Sequence, residues 1–149
     1  MTLQQSESVR LKLTGGIFLS AAKHVPPDRV DWSPAPGAKS AGQIVQHIAW
    51  ANDFFAALIR GEAPREQVHN PDLPYADALA RFERSVKALA ETLAAVPDAQ
   101  LDDPREMPWG QTWKVKHILM SGSAHIAYHW GQIGYLQSAW GDDTDYHLR

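Results

Sequence analysis

The chain has 149 residues, 44% hydrophobic and 21% charged, an ordinary globular composition with enough apolar material for one core and too much for a disordered chain. Fourteen Lys and Arg stand against seventeen Asp and Glu, a formal charge of -3, and the basic residues are scattered, so the basic face of a nucleic-acid binder is missing. There is no cysteine, which removes disulfides, thiolate metal sites and cysteine nucleophiles and leaves only His, Asp and Glu to hold a metal.

The first residues, MTLQQSESVRLK, show no charged region leading into an apolar stretch, and no run approaches the roughly 18 apolar residues of a membrane span. A cytoplasmic domain covering 1–149, without membrane partners, is therefore expected. A first helix is predicted from Thr2 to His24, with Val9, Leu13, Ile17 and Ser20 on one stripe, stopping before Pro26-Pro27. The second opens at Ser40-Ala41-Gly42-Gln43, which has the form of a capping box. It continues through Ile44, His47, Ile48, Ala51, Phe54, Phe55 and Leu58 and ends at Gly61. The connection from Gly61 to Leu73 is longer than a tight turn needs, and its length permits a crossing of the bundle.

The third helix starts near Pro74 and carries Leu79, Phe82, Val86, Leu89, Leu93 and Val96 at three- and four-residue steps, a seam suited to lengthwise packing. The fourth starts near Thr112 and carries Val115, Ile118, Gly122, His125, His129, Ile133, Leu136 and Trp140, ending at Gly141. Nothing between these segments alternates with period two, so no strand is expected. Four amphipathic helices of similar length give an all-α fold, a four-helix bundle.

Three of the seven histidines occupy positions where a bundle places leucine. His125 and His129 are four residues apart on the fourth seam, so both project from one face, the geometry that H-E-x-x-H uses to offer two imidazoles to one metal. The residues between them are Ile126, Ala127 and Tyr128, so the metalloprotease glutamate is absent. His47 is the remaining seam histidine inside a helix and the natural third ligand. A lone histidine on an apolar face is more often a satisfied core residue, but three of them, each with two polar ring nitrogens, are hard to explain by packing. His24, His69 and His147 fall in connections or the tail, and His117 lies off the seam as a reserve ligand. Glu66 and His69 spell a single E-x-x-H, and with no buried glutamates elsewhere a di-iron site is a poor fit.

The segments A-H-I-A-Y-H-W-G-Q-I-G-Y-L-Q at 124–137 and S-A-G-Q-I-V-Q-H-I-A-W-A-N-D-F-F at 40–55, with D-W-S-P-A-P-G at 31–37, resemble the DinB/YfiT-like family. The resemblance implies an up-down-down-up bundle with a long crossover between helices two and three. It also implies that His47, His125 and His129 bind a divalent metal, zinc or nickel, and it suggests a homodimer. Members of that family include transferases and isomerases that use low-molecular-weight thiols, so a small-molecule substrate is implied, with a thiol as possible co-substrate. The resulting expectation is a metal-dependent enzyme activating a thiol or water. The alternatives are a hydrolase, a non-catalytic metal-binding stress-response bundle, or a plain scaffold. Three imidazole ligands leave a coordination position open and the +2 charge uncompensated, the pattern of a catalytic site. Gln43 and Gln132, each one turn from a histidine, are candidates to orient ligands, although a helix cap and a packing contact explain them more simply. Trp109 and Trp113 are expected at the mouth of a pocket, whereas Trp50, Trp130 and Trp140 are expected in core or subunit contacts. Asp53 is expected to be a solvated charge. The sequence identifies no general acid or base.

Overall fold

In the computed structural model, which describes residues 1–146, the sequence divides where proline and glycine divide it. Four long helices form among the described residues: α1 (Leu3–Ala22), α2 (Ala41–Arg60), α3 (Tyr75–Ala94) and α4 (Val115–Ala139). Capping boxes start the first two. Thr2 and Ser40 accept from the backbone N–H groups of Gln5 and Gln43, and both glutamine side chains accept from the cap residue's own N–H. The α2 helix stops at Gly61, whose φ of 72° a side chain would resist.

The α1 helix packs on α3 and α4, and α2 packs on the same two helices. Their shared core is built on Leu11, Phe18, Ile44, Ile48, Phe82, Leu89, Ile118, Ile126 and Ile133, with the Phe18 and Phe82 rings 4.8 Å apart. No helix among the described residues is long and apolar enough to cross a membrane.

Two sequence expectations fail here. The first half of the predicted α1 stripe faces outward, with Val9 45% and Leu13 64% exposed and Ile17 and Ser20 half-buried, while Gln4, Glu7, Ser8, Leu11, Gly15, Phe18, Ala21 and Ala22 are buried. Both sets step by three and four, so periodicity did not choose between them. Partners on the neighbouring helix did. Gln4 donates its amide to the Val96 carbonyl and to Asp98, and Ser8 donates to the Ala90 carbonyl, so these polar donors enter the bundle with partners, although Gln4 Oε1 is buried without one among the described residues.

The second failure is the expectation that the chain has no strand. An antiparallel hairpin joins β1 (Pro104–Glu106) to β2 (Thr112–Lys114), pairing Arg105 with Trp113. Three-residue strands are too short to display a period. The turn between them has Gly110 at a φ of 86°. From β1, Arg105 donates to the carbonyls of Leu58 and Ile59 in the last turn of α2, supplementing the Gly61 N–H that caps Leu58. This pins the hairpin to that end of α2, where a positive guanidinium also suits the helix dipole.

Candidate metal centre

Two helices supply the centre. His47 lies in α2, and His125 and His129 lie one turn apart in α4. One turn earlier, Gly122 lets α4 approach its neighbours closely, since a Cβ there would lie 2.9 Å from Leu89 Cδ2 and 3.1 Å from Leu11 Cδ1. The Nε2 atom of His125 sits 3.1 Å from Nε2 of His47 and 3.2 Å from Nε2 of His129. The histidines selected by seam position therefore meet, with ligand atoms of all three within 4.8 Å of one another.

The outer nitrogens show what the inner ones offer. Nδ1 of His47 is 3.0 Å from Oε1 of Gln67, and Nδ1 of His129 is 2.6 Å from Oε1 of Gln132. An amide oxygen only accepts, so both Nδ1 atoms carry the proton and donate it, and both Nε2 atoms present bare lone pairs. Gln132 is held in that orientation because its own amide donates to the Tyr128 hydroxyl. His125 has no such support; its Nδ1 is buried with no partner among the described residues.

All three rings are held neutral. Burial pushes His125 down to about 3, with the neighbouring His129 and His47 adding to the effect. Burial likewise lowers His129 to about 4, against the Gln132 hydrogen bond, with His47 and Lys39 also lowering it. His47 is lowered too, first by burial and further by Lys39, with Gln67 opposing. Neutral imidazoles are the ligating form. A tetrahedral ion about 2.0–2.1 Å from each imidazole nitrogen separates its ligands by about 3.3 Å, close to the two Nε2 separations found. The Nε2 lone pairs of His47 and His129 converge on His125 Nε2 with no carboxylate in the cluster, an arrangement a cation among them would stabilise. The donor set fits a divalent ion.

His125 also forms part of the wall of a cavity of about 480 Å³, lined by Trp50, Phe54, Phe55 and Trp109 together with Ala51, Pro64, Arg65, Glu66 and Pro108. Trp109 thus stands where the sequence suggests, and Trp113 backs it at 5.8 Å between rings. Trp50, expected in core or subunit contacts, packs against the core and also lines this cavity, donating to the Arg65 carbonyl.

Gln132 has the orienting geometry, whereas Gln43 serves as the helix cap. Sequence reasoning missed Gln67, because its position depends on the path of the 61–74 connection. That path is drawn by side chains of α2: Trp50 meets Arg65, His47 meets Gln67, and Gln46 exchanges two hydrogen bonds with the Asn70 backbone. The remaining histidines stay apart from the cluster. His69 and His117 are exposed, and His24 donates its Nδ1 proton to the Ser20 carbonyl and stacks on Tyr146. His147 lies outside the described residues. Asp53 is exposed and pairs loosely with Arg81 at 4.0 Å.

Comparison with known proteins bears on this architecture. A family model described as the DinB superfamily matches residues 10–133. The crystal structure of a DinB-like protein from Bacillus subtilis, YjoA, is similar with a TM-score of 0.75 at 17% sequence identity, over 91% of this chain and 92% of that one. No curated protein matches the sequence.

Proposed function

Because the chain belongs to the DinB superfamily, we propose that His47, His125 and His129 hold one divalent ion, zinc or nickel, in a metal-dependent enzyme acting on a small molecule. The carrying observation is the convergence of three neutral imidazoles, two with their Nε2 lone pairs fixed by glutamine partners. A divalent ion in such a site acidifies a bound water or thiol and so supplies a nucleophile near neutral pH.

The chain's own residues do the rest. Gln67 and Gln132 hold the tautomers and ring orientations of His47 and His129, the outer-shell role that tunes ligand basicity. The aromatic cavity beside His125 gives a second reactant a largely apolar place next to the histidine cluster. A transferase using a low-molecular-weight thiol fits this arrangement, with hydrolysis as the outcome when water is the nucleophile.

The finer architecture belongs to the same reading. The whole chain is taken as one domain with helix directions up-down-down-up. The 61–74 connection supports those directions, since contacts from Trp50 through His47 to Gln46 carry it back along α2. A homodimer is also proposed, supported by the outward Val9 and Leu13 of α1 and Met120 of the adjoining α4.

The test is elemental analysis and metal titration of untagged protein, followed by assays of small electrophiles with several thiols and with water. Close to one ion per chain, with turnover lost on chelation and regained on adding metal, is expected. No metal on purification or titration overturns the reading, and tight metal binding without turnover of any nucleophile favours a non-catalytic metal-binding bundle.

A further inference from the structure

The cavity beside the histidines has a composition that selects among small molecules. Four aromatic side chains surround it, Trp50, Phe54 and Phe55 from α2 and Trp109 from the hairpin turn. Their rings form a connected set: Trp50 and Phe54 lie 5.2 Å apart, Phe54 and Trp109 lie 6.3 Å apart at 18°, and Phe55 meets the His125 ring edge-on at 6.0 Å. The charged lining residues are Arg65 and Glu66, both exposed and of opposite sign, so they add no net charge at the opening. Trp109 is itself 54% exposed, a large apolar surface turned toward whatever enters.

We propose that this cavity binds a planar aromatic group of the substrate, orienting the rest of that molecule toward the ion held by the histidines. The inference rests on the metal reading above and adds the substrate class to it. Rings offer the best match to aromatic walls, through offset-stacked and edge-to-face contacts in addition to the burial of area. A volume of about 480 Å³ accommodates one or two fused rings with a reactive substituent and lies in the usual range for small-molecule sites. His125 joins the two halves of the site, since one face of it borders the cavity and its Nε2 faces the other two histidines.

Two probes separate the cavity from the metal. Benzohydroxamate and acetohydroxamate carry the same metal-binding headgroup and differ in the ring. On metal-loaded protein, benzohydroxamate is expected to bind at least about tenfold more tightly, a gain typical of burying one ring. In Trp109→Ala, whose side chain is half exposed and carries little of the fold, that preference should fall several-fold while acetohydroxamate affinity stays unchanged. On metal-free protein, 2-naphthol should quench tryptophan emission saturably, and more weakly in Phe55→Ala. Equal affinity for the two hydroxamates, or a preference that survives Trp109→Ala, overturns the proposal and leaves the metal reading standing. Saturable naphthol binding without hydroxamate or metal binding supports the aromatic cavity and removes the metal reading instead.

Discussion

His129 is 4% exposed, yet its Nδ1 proton is spoken for and its Nε2 is aimed at another imidazole, a placement that packing alone does not explain. If the three rings ligate, His125→Ala and His129→Ala should each lower metal affinity by more than the roughly 10–100-fold expected for losing an outer-shell partner. His69→Ala should leave affinity unchanged. Gln132→Ala and Gln67→Ala should fall within that 10–100-fold range, because the ligands remain and only their tautomers are released. Calorimetric titration of the five variants checks the ranking, and equal losses in all of them would mean that another set of residues binds. The lowered pKa values add a pH signature. With His125 near 3 and His129 near 4, protons should compete poorly with the metal, so affinity should stay nearly flat from pH 8 to about 6, where ordinary histidine sites already weaken. The ligand trio was legible because four-residue spacing and seam position are properties of sequence. Gln67 and Trp50 were not, because the fourteen-residue 61–74 connection carries no periodic signal of where it runs.

Among the elements, the hairpin was invisible to pattern analysis and α1 was read on the wrong face, for one physical reason: both depend on partners far away in sequence. The α1 helix offers two stripes, and hydrogen bonds from Gln4 and Ser8 to the end of α3 decide which one is buried. The hairpin is fixed by Arg105, which reaches the carbonyls of Leu58 and Ile59. Arg105→Ala should therefore cost about 1–3 kcal/mol, the scale for losing charged hydrogen bonds. It should also loosen Trp109, which urea unfolding and tryptophan anisotropy read separately. A cost without any change in anisotropy would mean that the turn is held by other contacts. The seams of α2, α3 and α4 were legible throughout, including the glycine. Gly122 stands where α4 meets Leu89 and Leu11, so Gly122→Val should destabilise by about 1–3 kcal/mol through overpacking, with metal affinity falling as His125 is displaced along the same helix face.

At the scale of the whole molecule, the proposed ion would tie α2 to α4, so metal affinity and global stability should be linked. A ligand that binds only the folded chain adds about 2.7 kcal/mol at a hundredfold excess over Kd. For a chain of this length that corresponds to roughly 5–10 °C in Tm. Scanning calorimetry should show that rise for the natural protein and none for His47→Leu. The metal-free proteins carry the sharper test. The three histidines have folded pKa values below their ordinary 6.5, so above that value they are neutral in both states and contribute no pH dependence. As pH falls below 6.5 the unfolded chain takes up protons that the native cluster refuses, and stability is lost progressively toward pH 4. His47→Leu removes one of those groups, replaces a partly buried polar ring with an apolar side chain, and relieves one of the close Nε2 contacts. Metal-free His47→Leu should thus equal or exceed the natural protein in Tm at pH 7 and exceed it more at pH 5. A variant that is less stable than the natural metal-free protein at both values would show that His47 serves the fold, and the case for a site built at the expense of the bundle would fall.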